Sequence, residues 1–265
     1  MENLAGMLAG RAVYVTGPAK GMGRDVTLAL ASAGADLILL GRDVGAITPV
    51  ADEARGLGRT VAVASCDVTD STSVAQAMAA GRASLGGRAD GLVCVHGTTG
   101  AGTKVLWQQT VEDYRAVFDT NVLGVMLPMR EALKHFTAER RGSIVSIGGT
   151  FGFKGAAGQS LYAATKWALR GMSRSAALEA GRFGVRVNTV CPGGVDGPRL
   201  TRQLEEIAAE QGSSFDDVYS RMAAATALGR MSQGSDIAAA VVFLLSDMAR
   251  NITGQDLIVD GGGVV

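Results

Sequence analysis

Seven short apolar runs, separated by segments of helical period, constrain this chain more than any other feature. They lie at Ala12–Thr16, Asp36–Leu40, Thr60–Ala64, Gly91–Val95, Ser143–Ile147, Val185–Val190 and Leu257–Val259. The runs favour β-branched residues and are apolar on both faces, as strands buried on both sides of a parallel sheet must be. Parallel strands need crossover connections, and helices on both faces supply them. The expected fold is therefore α/β, a doubly wound seven-stranded parallel sheet. No Pro-rich, Ser-rich or charge-run linker interrupts the 265 residues, which points to a single domain. Thr48 before Pro49 predicts one helix start. Asp70 or Ser71 predicts another, its helix running through Leu85 to a stop at Gly86–Gly87. One stretch breaks the alternation: residues 194–228 follow a strand yet hold two polar helical segments joined at Gly212–Ser213. That placement suits a substrate loop or lid, with an oligomer-contact helix pair as the other reading.

Composition narrows the partners. The 25 basic and 25 acidic side chains cancel, so no net field draws the chain to nucleic acid or anionic lipid. The longest apolar stretch, Ala238 to Leu245, is far shorter than the about 20 residues a membrane helix needs. The opening MENLAGMLAGR begins with an acid and lacks the basic-then-apolar order of a secretory signal, so a cytoplasmic location is expected. Cys66, Cys94 and Cys191 are far apart, each in or beside an apolar run, and His96 and His135 are the only histidines. Buried reduced thiols and no metal centre are expected.

The first run passes into Thr16-Gly17-Pro18-Ala19-Lys20-Gly21-Met22-Gly23 and then a helical RDVTLALASAG. Glycines at a strand-to-helix turn let the backbone approach a pyrophosphate, and the helix N-terminus offers free N–H groups and a positive dipole end. Gly17, Gly21, Met22 and Gly23 are thus candidate cofactor contacts. The tip of the second strand, about 20 residues on, is where an acid would bind the ribose 2′-hydroxyl of NAD. Here it reads Leu40-Gly41-Arg42-Asp43, with no acid at Gly41 and a guanidinium at Arg42 suited to a 2′-phosphate. Together with Lys20 in the turn, this favours NADP(H) over NAD(H); solvated surface cations, or Asp43 turned inward, are the alternatives. Asp67, followed by Val68 after the third strand, is a candidate for the adenine amino group or for a helix cap.

Tyr162 and Lys166 lie four apart in the helical SLYAATKWALRGMSRSAALE and project from one face. An ammonium beside a phenol favours phenolate and draws the tyrosine pKa down from about 10, making a usable acid or base near neutrality. With TGPAKGMG, CDVTD, FDTNVLG, YAATK, VNTVCPGG and GQDLIVDGGG in this order, the whole chain resembles the short-chain dehydrogenase/reductase family, whose fold is Rossmann-type. The resemblance implies an NADP(H)-dependent oxidoreductase interconverting a small secondary alcohol and a ketone. Tyr162 would exchange the proton with the substrate oxygen, and Lys166 would bind the nicotinamide ribose. Asn121 would hold a water linking Lys166 to solvent, or else satisfy a helix irregularity. Gly97 would let the backbone pass the ribose closely, and Pro192, Gly193 and Val195 would face the carboxamide. A homo-oligomer, tetramer or dimer, is implied as well, built through the helix of Tyr162 and the C-terminal strand.

The chain also departs from the family pattern. The family serine stands thirteen residues before the tyrosine, a position held here by Gly149 in SIGGT. Losing such a donor in other enzymes costs roughly 100- to 1000-fold in rate. His96, Thr150 and Gln159 are candidate substrate contacts in its place; a core histidine, a turn residue and a helix cap are the respective alternatives. Cys94-Val95-His96-Gly97 replaces the family's Asn-Asn-Ala-Gly, and Gly197-Pro198 stands where a threonine is common. These departures leave open chemistry on another bond, such as imine or enone reduction, isomerisation or elimination, and a non-catalytic NADP-binding role.

Overall fold

The structure, a computed structural model, describes residues 4–264. The first three residues of the segment weighed as a signal lie outside them. In chain order the elements are β1 (Ala12–Thr16), α1 (Met22–Ser32), β2 (Asp36–Gly41), α2 (Val44–Gly56), β3 (Val61–Ser65), α3 (Ser71–Ser84) and β4 (Gly91–Cys94). Then follow α4 (Val111–Phe118), α5 (Gly124–Glu139), β5 (Gly142–Ile147), α6 (Ser160–Ala180) and β6 (Val185–Pro192). The chain finishes with α7 (Pro198–Gln211), α8 (Phe215–Ala224), α9 (Gly234–Leu245) and β7 (Asp256–Val259).

All seven strands pair in parallel in the order β3-β2-β1-β4-β5-β6-β7. This is the doubly wound, single-domain α/β sheet that the alternation implied. Strand order reverses between β1 and β4, so a cleft opens at their carboxyl ends. Alternate residues serve opposite layers: Val13, Val15, Leu37 and Leu39 pack with α1, α2 and α9. Tyr14, Ile38, Leu40 and Leu92 pack with α3, α5 and α6. Both faces are covered, which is why the strands carry no polar alternation.

Asp70 caps α3 by accepting from the Ser73 N–H, and Gly86 and Gly87 follow the helix at positive φ, as expected. The Thr48–Pro49 start is wrong. Helix α2 begins at Val44, capped by Asp43, whose side chain accepts from the Ala46 N–H at 3.0 Å. Pro49 sits inside the helix, and Thr48 turns its hydroxyl back to the Val44 carbonyl. The buried stripe of Ile47, Val50, Ala51 and Ala54 needs a turn of helix before it, and Asp43 is the better cap for that length.

Between α4 and α5 the helix widens into a π turn at Asp119–Leu123, which carries Asn121 into the interior. At the tip of β5 two glycines differ sharply. A Cβ on Gly148 would lie 2.8 Å from Thr189 Cγ2 and 2.9 Å from Cys191 Sγ, whereas one on Gly149 meets nothing nearer than 3.8 Å. Gly149 also has extended backbone, φ 161°, open to any residue. Gly148→Ala is therefore expected to lower stability by about 1–3 kcal/mol through overpacking, and Gly149→Ala by less than about 1 kcal/mol. Denaturant midpoints of the two variants check this; equal losses would contradict it.

Candidate active site

The cleft begins at the β1 tip. Gly17 has φ 71°, and a Cβ there would sit 2.9 Å from the backbone of His96. A Cβ on Gly23 would fall 2.0 Å from the Gly17 carbonyl oxygen. The turn is thus wound too tightly for side chains at either position. Gly21, at φ 52°, precedes α1 and gives its first turn no side-chain cap. The leading N–H groups from Met22 onward remain available to an anion, the fit that a dinucleotide pyrophosphate requires.

At the adenosine end, β2 finishes at Gly41, and Arg42 and Lys20 are both exposed. Among the described residues no carboxylate pairs with either. Asp43 is occupied as the α2 cap. Asp67 does not cap α3; its Oδ1 accepts from the Thr69 N–H and hydroxyl at 2.9 and 2.8 Å. Those bonds, with the Arg42 charge adding to them, hold its carboxyl below the ordinary range. Val68 packs its side chain beside the start of α5.

The nicotinamide end gathers the tips of β4, β5 and β6 with the first turns of α6. Asn121 is fully buried and fully engaged: Oδ1 accepts from the Thr98 N–H at 2.8 Å. Its Nδ2 donates to the Thr98 carbonyl at 2.8 Å and to Thr165 Oγ1 at 3.1 Å. Its side chain thus ties the β4–α4 loop, with Gly97 against it, to α6. Lys166 is buried and donates to the Ile147 carbonyl at 3.1 Å, with its ammonium 5.3 Å from the Tyr162 ring centroid. Phe151 meets that ring edge-on at 6.0 Å. Pro192 ends β6, Gly193 leaves no room for a side chain against Asp260, and Val195 bridges to Ser232.

Arg199 was not among the residues singled out from the sequence. It stands in the first turn of α7, its guanidinium carbon 5.5 Å from the Tyr162 ring centroid. Burial pushes the Tyr162 phenol up, but the neighbouring Lys166 and Arg199 cations outweigh it and hold the phenol below its ordinary value. A signal was present: Pro198, six residues past the end of β6, marks a helix start on the carboxyl side of the sheet.

The three candidate substitutes for serine separate. Gln159 lines a recess of about 50 Å³ with Gly158, Val117 and Tyr162, and Thr150 opens a one-turn helix after Gly149. His96 is instead held by both ring nitrogens. Nδ1 lies 2.7 Å from Thr16 Oγ1, and Nε2 lies 3.2 Å from the Thr120 carbonyl that the π turn presents. A carbonyl only accepts, so Nε2 carries the proton and the Thr16 hydroxyl donates to Nδ1. Burial, with Lys166 nearby, pulls the ring down to about 4, so it is neutral and structural. The unfolded ring protonates near 6.5, so stability is complete above that pH and is lost as pH falls toward 4. The expected loss is roughly 2–3 kcal/mol. His96→Ala should flatten this slope in unfolding titrations at several pH values; an unchanged slope would contradict the assignment.

Comparison with known proteins agrees with this geometry. A family model described as enoyl-(acyl carrier protein) reductase matches residues 17–263. The chain is 32% identical over 263 residues to a 2,5-dichloro-2,5-cyclohexadiene-1,4-diol dehydrogenase of Sphingobium indicum, covering 98% of each chain. Carveol dehydrogenase from Mycobacterium avium, solved in complex with NAD, superposes with a TM-score of 0.92 at 28% identity, over 98% of this chain and 99% of that one. A single-substitution variant of actinorhodin polyketide ketoreductase, solved with NADPH, superposes at 0.89 and 28% identity, over 98% of each chain. The chain belongs to the short-chain dehydrogenase/reductase family of oxidoreductases.

Proposed function

We propose that this protein is an NADP(H)-dependent oxidoreductase that interconverts a small secondary alcohol and a ketone, with Tyr162 as the general acid and base. The observation that carries the reading is the Tyr162 phenol, held below its ordinary pKa by the cations of Lys166 and Arg199 despite burial. When bound, the cofactor supplies or accepts the hydride. In reduction the phenol gives its proton to the substrate oxygen, and Lys166 stabilises the phenolate left behind; in oxidation the phenolate takes the proton. With one N–H on the Ile147 carbonyl, the Lys166 ammonium keeps two for the ribose hydroxyls. The unpaired Lys20 and Arg42 support NADP(H) at the adenosine end. A relative named for a cyclic diol supports an alcohol substrate.

Residues 194–228 form the substrate lid in this reading. They have their own small core, Leu200, Leu204, Ala208, Val218 and Ala223, packed against Met231, and Gly197 and Gly229, both at positive φ, flank it. The exposed Trp167 and Leu178 on α6 support a homo-oligomer, and three buried unpaired cysteines suit the cytoplasm. A second reading, reduction of a C=N bond, has one observation in its favour. Gly149 stands thirteen residues before Tyr162, where the resemblance places the family serine, and a C=N substrate develops no oxyanion for a hydroxyl to bind.

Tyr162→Phe is expected to lower turnover on the best alcohol or ketone at least about 100-fold with cofactor binding intact; full activity would refute the reading. Arg42→Ala should weaken NADPH binding roughly ten- to a hundredfold and leave NADH binding nearly unchanged, as nicotinamide fluorescence titration measures. Equal losses for both cofactors would contradict the NADP(H) assignment. In a ketone and imine panel, turnover of imines with none of ketones, by wild type and Gly149→Ser alike, would favour the C=N reading.

A further inference from the structure

The β5 tip leaves an unfilled place. A side chain at Gly149 would meet nothing nearer than Lys166 Cε and Cγ and the Pro192 carbonyl, each at 3.8 Å. Gly149 itself offers no hydroxyl to the oxygen that Tyr162 serves. Arg199 approaches the same phenol from α7, on the segment proposed above as the lid. Among the described residues it pairs with no carboxylate, unlike Arg170 and Arg174 on Asp256 or Arg230 on Asp236. An arginine beside a phenol with no acid to neutralise it has donors to spare. Its position is fixed from behind: Pro198 starts α7, and the adjacent Leu200 is buried against the α8 core. Asp196, just before Gly197, accepts from Tyr219 and Gln233, which anchors the base of the segment.

Resting on the alcohol–ketone reading, we infer that Arg199 is a catalytic residue, donating to the reacting oxygen the hydrogen bond that Gly149 cannot. A guanidinium carries five N–H groups in a fixed fork, so it serves the phenol oxygen and the substrate oxygen together. A charged donor is about twice as strong as a neutral hydroxyl, which compensates for its reach from a separate segment. The active site is then complete only when the lid is down.

The test compares wild type, Arg199→Gln, Gly149→Ser and the double variant, with Tyr162→Phe as spectral reference. In the cofactor-free proteins, the ultraviolet tyrosinate difference band assigned to Tyr162 should move to higher pH in Arg199→Gln. In turnover, Arg199→Gln should lose roughly 100- to 1000-fold in kcat with KM changed only a few-fold. Adding Gly149→Ser to that variant should restore at least about tenfold, because a hydroxyl then takes over. An unmoved tyrosinate band would overturn the assignment. So would a rise in KM with kcat intact, which marks a contact to a remote substrate charge, or weaker NADPH binding alone, which marks a phosphate contact. A wild type that binds NADPH but turns over neither alcohol nor ketone would defeat the alcohol–ketone reading and this inference together. An active wild type indifferent to Arg199→Gln defeats the inference alone.

Discussion

A phenol in a partly closed cleft would ordinarily hold its proton more tightly than in water, because burial penalises the charge. The proposed chemistry depends on reversing that preference at Tyr162. The reversal needs cations that cannot drift away, and the fold supplies them from two directions. Lys166 is one helical turn along α6, buried and fastened to the Ile147 carbonyl at the β5 tip. Arg199 comes from the segment beyond β6. The contrast with Tyr14 is instructive. It is buried in the core, donates to the Met78 carbonyl, and is pushed up to about 12, since its one nearby cation, Arg82, is too weak to offset burial.

The sheet makes this arrangement rigid through close approach. Gly17, Gly23, Gly148 and Gly193 each stand where a Cβ would collide with a neighbour, so the chain beyond β1 closes on that beyond β4, β5 on β6, and the end of β6 on that of β7. The π turn between α4 and α5 adds the last tie. It buries Asn121, whose amide holds Thr98 to Thr165 of α6, and presents the Thr120 carbonyl to His96. His96, neutral and held at both nitrogens, thereby links β1 to the π turn across the switch point. A histidine can occupy this place because Gly17 and Gly124 leave room for its ring.

The strands were legible because a parallel sheet covered on both faces demands apolar residues at every position, and few other structures do. The glycine turn and the Tyr162–Lys166 pair were legible because both are local: their chemistry follows from spacing on a single element. The Asp70 cap was readable for the same reason. Pattern failed where two local signals competed, as at Thr48–Pro49, where a better cap at Asp43 and the stripe starting at Ile47 decided the helix. It also failed where function depends on elements distant in sequence. Arg199 meets Tyr162 only because the segment after β6 brings the start of α7 to the start of α6, and no periodicity encodes that meeting. Whether His96 faces substrate or core turned on Thr16 and on the freed Thr120 carbonyl, and neither partner announces itself in the sequence.

The most direct test of the account is the pH dependence of kcat/KM for alcohol oxidation by the wild-type protein, since that direction requires the phenolate in the free enzyme. The expected profile rises through a single ionisation below the ordinary tyrosine value of about 10 and then levels off. A profile still climbing through the ordinary tyrosine range, or flat across neutrality, would show that the two cations do not set the proton affinity of Tyr162.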